Sequence, residues 1–313
     1  MSESKKKERV KFKPLVSNIL IVLIWLIGLT PLFGILYLRY VQTDSERLPS
    51  ESMLENQEEL LATTVYAGDG STELGKYWKV NRTSVPYDEI SPNVISALIS
   101  TEDERYETHP GIDVKAVGRA IVNMGEAGGA STITQQLAKL IFTLKDREEK
   151  RKARLAGTGP TEEEKRIEKM SGIEKRLYEK VKENIIALRL ERRYTKREIV
   201  TMYLNQFDFL YNAVGISSAA RVYYNKKANE LNPEEAAMLV GMCKNPGLYN
   251  PYSFKVRNYR KIIASNKGIE ENQVEQEEIR ERYKKDSLRA VNRRNTVLKK
   301  WLENSLKGNE ALT

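Results

Sequence analysis

Between Gly128 and Phe142 the chain reads GGASTITQQLAKLIF, which crowds Ser131, Thr132, Thr134, Gln135 and Gln136 onto the start of an amphipathic run. The glycines permit close backbone approach or a positive φ, and Ser131 or Thr132 can cap a helix N-terminus, a place that attracts anions. Thr134, Gln135 and Lys139 then present a hydroxyl, an amide and an ammonium, a set matched to sugar hydroxyls and phosphate oxygens. By composition alone the same string is also a plain capped helix start. A second candidate lies upstream, in SPNVISALISTEDERYETHPG. There Val94, Ile95, Leu98, Ile99, Glu102 and Tyr106 recur at helical spacing and share one face. A carboxylate on an apolar stripe loses hydration, which disfavours its charge and poises it to take a proton near neutral pH. The alternative is a helix that ends at Glu102 and leaves the side chain in water. Asp103 falls off the stripe and is placed for polar contacts, and His109, before Pro110-Gly111, reads as a turn residue bonded to backbone.

These side chains need a scaffold, and the pattern predicts a helical one. From Pro86 onward helices are expected over 92–107, 112–125, 131–143, 173–193, 196–204, 213–223 and 233–243, the last opened by Asn232-Pro-Glu-Glu. Upstream, ATTVYAGDGSTELGKYWKV alternates around Gly68-Asp69-Gly70, the signal of a β-hairpin with strands near 62–66 and 74–80. Residues 144–176 are densely charged, with a Gly-Thr-Gly-Pro break, and read as a solvated helical insertion.

Pro14 to Leu38 carries no charged residue, and about 20 apolar residues suffice to cross a bilayer. Six Lys and Arg residues precede this span, from Lys5 to Lys13, and only Arg39 follows closely, so the N-terminus is expected in the cytoplasm. The domain organisation expected is then a cytoplasmic tail at 1–13, a transmembrane helix at 14–40, a linker and hairpin at 41–85, and a helical domain at 86–313 outside the membrane. The 313 residues hold 52 Lys+Arg against 43 Asp+Glu, a net charge of +9 that favours an anionic partner. An exterior location argues against nucleic acid and for anionic lipid or lipid-linked phosphate. One cysteine, Cys243, and one histidine exclude an intrachain disulfide and any cysteine or multi-histidine metal site. Cys243 sits in the apolar run AAMLVGMC and reads as a buried, inert thiol.

Five ordered blocks carry a resemblance: EDERYETHPG (102–111), GASTITQQLAK (129–139), KVKE (180–183), KREIVTMYLN (196–205) and RRNTVL (293–298). They resemble the peptidoglycan glycosyltransferase domain of class A penicillin-binding proteins and of monofunctional transglycosylases. The resemblance spans roughly residues 60–300 and includes GISSAARVYYNK and KNPGLYNP. It implies a mainly α, lysozyme-like domain, held outside the bacterial cytoplasmic membrane by a single N-terminal span. The implied reaction polymerises lipid II, with inversion, from an undecaprenyl-pyrophosphate-linked glycan to the 4-hydroxyl of the acceptor sugar. Glu102 matches the family's catalytic glutamate and would be the general base. Lys139, Lys180, Arg293 and Arg294 would offset charge on the leaving pyrophosphate. Glu183 matches the second family glutamate, which orients substrate or holds a divalent cation, Mg or Mn. Ser131, Thr134, Gln135, Gln136 and Asn205 would bind the glycan or diphosphate, and Asp103 and His109 would brace the cleft. The implied partners are lipid II, the membrane and other cell-wall synthesis proteins, with moenomycin as the family's inhibitor.

The chain departs from the family pattern at Tyr106, where phenylalanine is usual, at Leu140 for asparagine, and at Glu179 for arginine. Glu179 reverses a charge beside the expected pyrophosphate site, and Arg176, one turn earlier, is the candidate to replace it. The transpeptidase half would need Ser-x-x-Lys, Ser-x-Asn and Lys-Thr-Gly in order. Only Ser2–Lys5 and Ser4–Lys7 match the first, so the chain is expected to be monofunctional or, as the hairpin suggests, a piece of a longer protein. Two other readings compete. One is a lytic transglycosylase, which has no pyrophosphate to stabilise; the other is a scaffold that binds lipid II without turning it over.

Overall fold

The helical body starts at Ser91-Pro92. The serine Oγ accepts a hydrogen bond from the Asn93 N–H, and Pro92 sits in the first turn, where its missing N–H costs nothing. The computed structural model describes residues 36, 37, 39, 63–68, 73–77, 83–122, 131–157, 159, 162–251 and 256–307. It separates into two units, Met1–Leu48 and Pro49–Thr313. In the first, Leu36, Tyr37 and Arg39 are helical; the rest of the expected membrane span lies outside the described residues. Among the described residues no helix is long and apolar enough to cross a membrane.

In the second unit, strands β1 (Thr63–Tyr66) and β2 (Glu73–Tyr77) pair antiparallel from Thr63 opposite Tyr77, with an irregularity between Val65 and Tyr66. The helices are α1 (Pro92–Glu102), α2 (Val114–Val122), α3 (Ile133–Ala138), α4 (Leu144–Leu155), α5 (Glu162–Lys169), α6 (Gly172–Arg193), α7 (Lys196–Gln206), α8 (Ile216–Tyr224), α9 (Pro233–Lys244), α10 (Val256–Lys267) and α11 (Gln276–Leu306). A π-helical turn, Lys139–Thr143, joins α3 to α4. Thr132, Thr195 and Asn232 each open a helix with a reciprocal capping box to Gln135, Glu198 and Glu235.

Burial organises these elements into two packed groups. Every residue of α9 from Ala236 to Cys243 is buried, and α1 and α11 pack against it and each other. The second group sets α3 against α6 and α7. Leu98, Ile133, Leu137, Ile186, Leu190, Leu204 and Leu239 have no exposed surface, each contributing about 2 kcal/mol through burial. The stripe on α1 points inward as its spacing predicts, with Val94, Ile95, Leu98 and Ile99 buried.

Some expectations shift. The helix predicted to reach residue 107 stops at Glu102, because Asp103 leaves helical geometry at φ −155° and ψ 69°, and its carboxylate accepts the Ile133 N–H. The helix predicted from 213 starts at Ile216. Gly215 holds φ +83° there, and any Cβ would lie 2.8 Å from the Asn205 carbonyl oxygen. The charged stretch 144–176 is helical, forming α4, α5 and the start of α6, with Arg154 and Glu168 paired at 2.7 Å. Helices α10 and α11 were not among the predicted elements. Tyr259, Ala264, Val274 and Ile279 form a small core of their own between them.

Candidate active site

Glu102 is the last residue of α1, so the stripe that buries α1 carries its side chain to the packed interior, where only 15 % of it stays exposed. Two other elements meet it. Arg293 of α11 donates from Nη2 to one carboxylate oxygen at 2.8 Å, and Gln136 of α3 reaches the other from Nε2 at 3.4 Å. Gln136 in turn accepts from the Tyr203 hydroxyl of α7 at 3.0 Å. The apolar stripe thus sets the position of Glu102, while an arginine and an amide supply its immediate surroundings. Gly241 of α9 makes room for this: a Cβ there would stand 3.2 Å from Arg293 Cγ.

Behind Glu102 lies a polar brace. The buried Asp103 carboxylate accepts from the Ile133 N–H at 2.9 Å and lies 2.8 Å from His109 Nε2. His109 Nδ1 accepts from the Gly111 N–H at 3.2 Å, which leaves the ring proton on Nε2 to face Asp103. Gly111 holds φ +90°, and a Cβ on it would lie 2.9 Å from Glu191 Cγ. Asp103 and His109 therefore tie the end of α1 to the start of α3.

The hydroxyl and amide crowd divides in two. Thr132 donates to the Gly111 carbonyl at 2.6 Å, and Gln135 closes the capping box through its Oε1 while its Nε2 donates to Asn184 at 2.6 Å. Thr134 is fully buried and donates to Glu191, which Lys196 also holds, at 2.8 Å. Thr134 and Gln135, expected to face a ligand, are turned into the protein, and their polar groups are engaged by α6. Ser131 and Gln136 stay partly exposed. Gly128 and Gly129 lie outside the described residues.

Ser131 belongs to a second cluster. Lys180 donates to its Oγ at 2.8 Å and to Glu183 at 3.1 Å; Lys180 is 42 % exposed and Glu183 only 9 %. Lys139 is exposed at the start of the π turn. Arg294 bonds its neighbour Asn295 at 2.9 Å rather than joining Arg293 on Glu102. Asn205, expected at the substrate, is buried and clamps the Val85 backbone through both ends of its amide, at 3.2 and 2.9 Å.

Sequence reasoning missed Tyr203. Its signal was present, since Ile199, Val200 and Tyr203 recur on one face of α7. Burial pushes the Tyr203 hydroxyl well above its ordinary pKa, helped by Cys243 and Glu102 nearby, so it remains a neutral donor. Burial likewise raises the Cys243 thiol, which is inert where it sits. Tyr106 is raised by burial and then by Glu191 beside it; its hydroxyl donates to the Lys196 carbonyl at 2.8 Å.

The sequence that builds this mainly helical domain has counterparts among known proteins. Residues 70–268 match the transglycosylase family, and the chain belongs to it. Similar curated proteins are penicillin-binding protein 1A of Escherichia coli K12 (30 % identity, 83 % of this chain, 27 % of that one) and penicillin-binding protein 1F of Bacillus subtilis (33 %, 78 % and 29 %). Penicillin-binding protein 1A of Aquifex aeolicus is 32 % identical over 81 % of this chain and 31 % of its own length. The chain spans less than a third of each of these relatives.

Proposed function

We propose that the chain is a peptidoglycan glycosyltransferase that polymerises lipid II, with Glu102 as general base. One observation carries this reading: in a member of the transglycosylase family, a mostly buried glutamate is held by groups from two other helices, Arg293 and Gln136. Such a carboxylate is fixed in direction yet keeps lone pairs to accept a proton. In the reaction, Glu102 takes the proton of the acceptor 4-hydroxyl as its oxygen bonds to the donor C1. The C1–oxygen bond to the pyrophosphate breaks, and attack opposite the leaving group inverts C1. Lys180, held by Ser131 and Glu183, is assigned as a source of positive charge for the departing pyrophosphate, and Lys139 is exposed to join it.

Glu183 does not by itself form a site for Mg or Mn. Its carboxylate is paired with Lys180, and among the described residues no three acids, histidines or cysteines are grouped so as to hold a metal ion. No step here runs through a cation. Residues 14–40 are proposed as the span that keeps the domain at 86–313 on the outer face of the bacterial inner membrane, beside a lipid-linked substrate.

The test is polymerisation of labelled lipid II by the detergent-solubilised protein and by Glu102→Gln, with moenomycin as control. The variant is expected to lose at least about 100-fold in rate. A variant as fast as the parent removes Glu102 from the role of base. Failure of both proteins to make glycan, with lipid II still bound, replaces the enzyme with a lipid II-binding scaffold.

A further inference from the structure

A groove of about 400 Å³ beside Arg293 is lined by Lys244, Tyr249, Arg289, Asn292, Arg293 and Thr296. Arg289, Asn292, Arg293 and Thr296 follow i, i+3, i+4, i+7 spacing, so one face of α11 forms a wall. Lys244, the last residue of α9, and Tyr249 form the other. Three cations line this groove and, among the described residues, no carboxylate does. Arg293 pairs with Glu102 at 2.8 Å, so an anion bound to Arg293 in the groove would lie next to the proposed base.

Arg289 owes its position to the hairpin of α10 and α11. Its Nη1 donates to Asp286 at 3.0 Å, and Asp286 also accepts from the Tyr259 hydroxyl at 2.8 Å. Tyr259 is fully buried in the small core with Ala264, Val274 and Ile279. Arg282 approaches the same carboxylate at 3.6 Å, so the charge of Asp286 is offset and the groove keeps its positive sign. Arg289 itself remains 38 % exposed, on the groove wall.

We infer that Arg289, positioned by Asp286 and Tyr259, is a further anion-binding residue of the active site and contacts a diphosphate group of the lipid-linked substrate. This rests on the glycosyltransferase reading above. A guanidinium is suited to the task because it offers paired donors to phosphate oxygens.

Titration calorimetry with inorganic pyrophosphate at fixed ionic strength tests it, using the parent chain, Arg289→Gln, Arg289→Lys and Arg280→Gln. Arg280 lies on the same helix but is 69 % exposed and outside the groove. Arg289→Gln is expected to bind about tenfold more weakly, the loss of one charge-assisted contact, with Arg289→Lys recovering part and Arg280→Gln matching the parent. In lipid II polymerisation the same variant raises KM and leaves kcat near the parent's. A parent that does not bind pyrophosphate, an Arg289→Gln variant that binds it as the parent does, or an equal loss in Arg280→Gln overturns the inference. If Glu102→Gln polymerises normally while Arg289→Gln loses pyrophosphate, the assigned base fails and the anion site stands. If polymerisation depends on Glu102 but not on Arg289, only the anion site fails.

Discussion

The two charged clusters are built in opposite ways. Around Glu102 of α1, the partners come from α3 and α11, with Arg293 standing 191 residues from the carboxylate, and both members of the ion pair are nearly covered. Around Glu183, the ammonium comes from Lys180 three residues earlier on the same helix, and it reaches into water. The first cluster is joined to the core: it exists only when α1, α9 and α11 have packed. The second lies nearer the surface: Lys180 pairs with a glutamate of its own helix and donates to Ser131, while Glu183 itself is buried. Exposure of the cation, 10 % for Arg293 against 42 % for Lys180, is what separates the two pairs, since both carboxylates are mostly buried.

Arg293→Met probes this contrast most severely. It leaves Glu102 buried without its cation, so equilibrium unfolding in urea should show a loss of about 3 kcal/mol, and polymerisation should fall with it. An unchanged unfolding midpoint would mean that the pair does not join α11 to α1. Thr132→Ala removes a cap and a bond to the Gly111 carbonyl, and is expected to cost about 1 kcal/mol in the same measurement. Lys180→Met should cost less stability than Arg293→Met, because the ammonium is partly solvated even though Glu183 is buried, and it should raise KM for lipid II. A large stability loss there would erase the distinction between the clusters. The smallest effect concerns acid. Burial pushes the Asp113 carboxyl up, but the Arg105 guanidinium and the Ala116 N–H outweigh it and hold the carboxyl below its ordinary pKa. Its folded pKa lies below the unfolded one, so its stabilisation is present above the ordinary carboxylate range and fades as pH falls. Asp113→Asn should flatten the loss of stability on acidification, as followed by melting temperature against pH.

How much of this was legible in the sequence depended on range. The interior direction of Glu102 followed from the spacing of Val94, Ile95, Leu98 and Ile99, a local property. Its partner Arg293 entered only through the resemblance, and there for the pyrophosphate; the pairing with Glu102 was not read, since no periodicity links residues so far apart. Thr134 and Gln135 were read as ligand-facing because their side chains are polar. What buries them is α6, whose Asn184 and Glu191 take their donors, and that packing leaves no mark in the GGASTITQQ string. Asn205, which the resemblance put at the substrate, has its amide matched to the backbone of Val85 in the structure, a pairing across 120 residues that no local pattern marks. Helices α10 and α11 escaped notice because charged residues crowd their sequence. Their apolar positions, such as Tyr259 and Ile279, are too few to dominate a window, and each helix is completed by the other.

The distance along the chain between Glu102 and Arg293 also orders events in time. A ribosome delivers the glutamate early and its arginine 191 residues later, so a chain cut short anywhere between them holds Glu102 without the guanidinium that pairs with it. In such a chain this bond between α1 and α11 is missing, and its formation waits on the synthesis of residue 293.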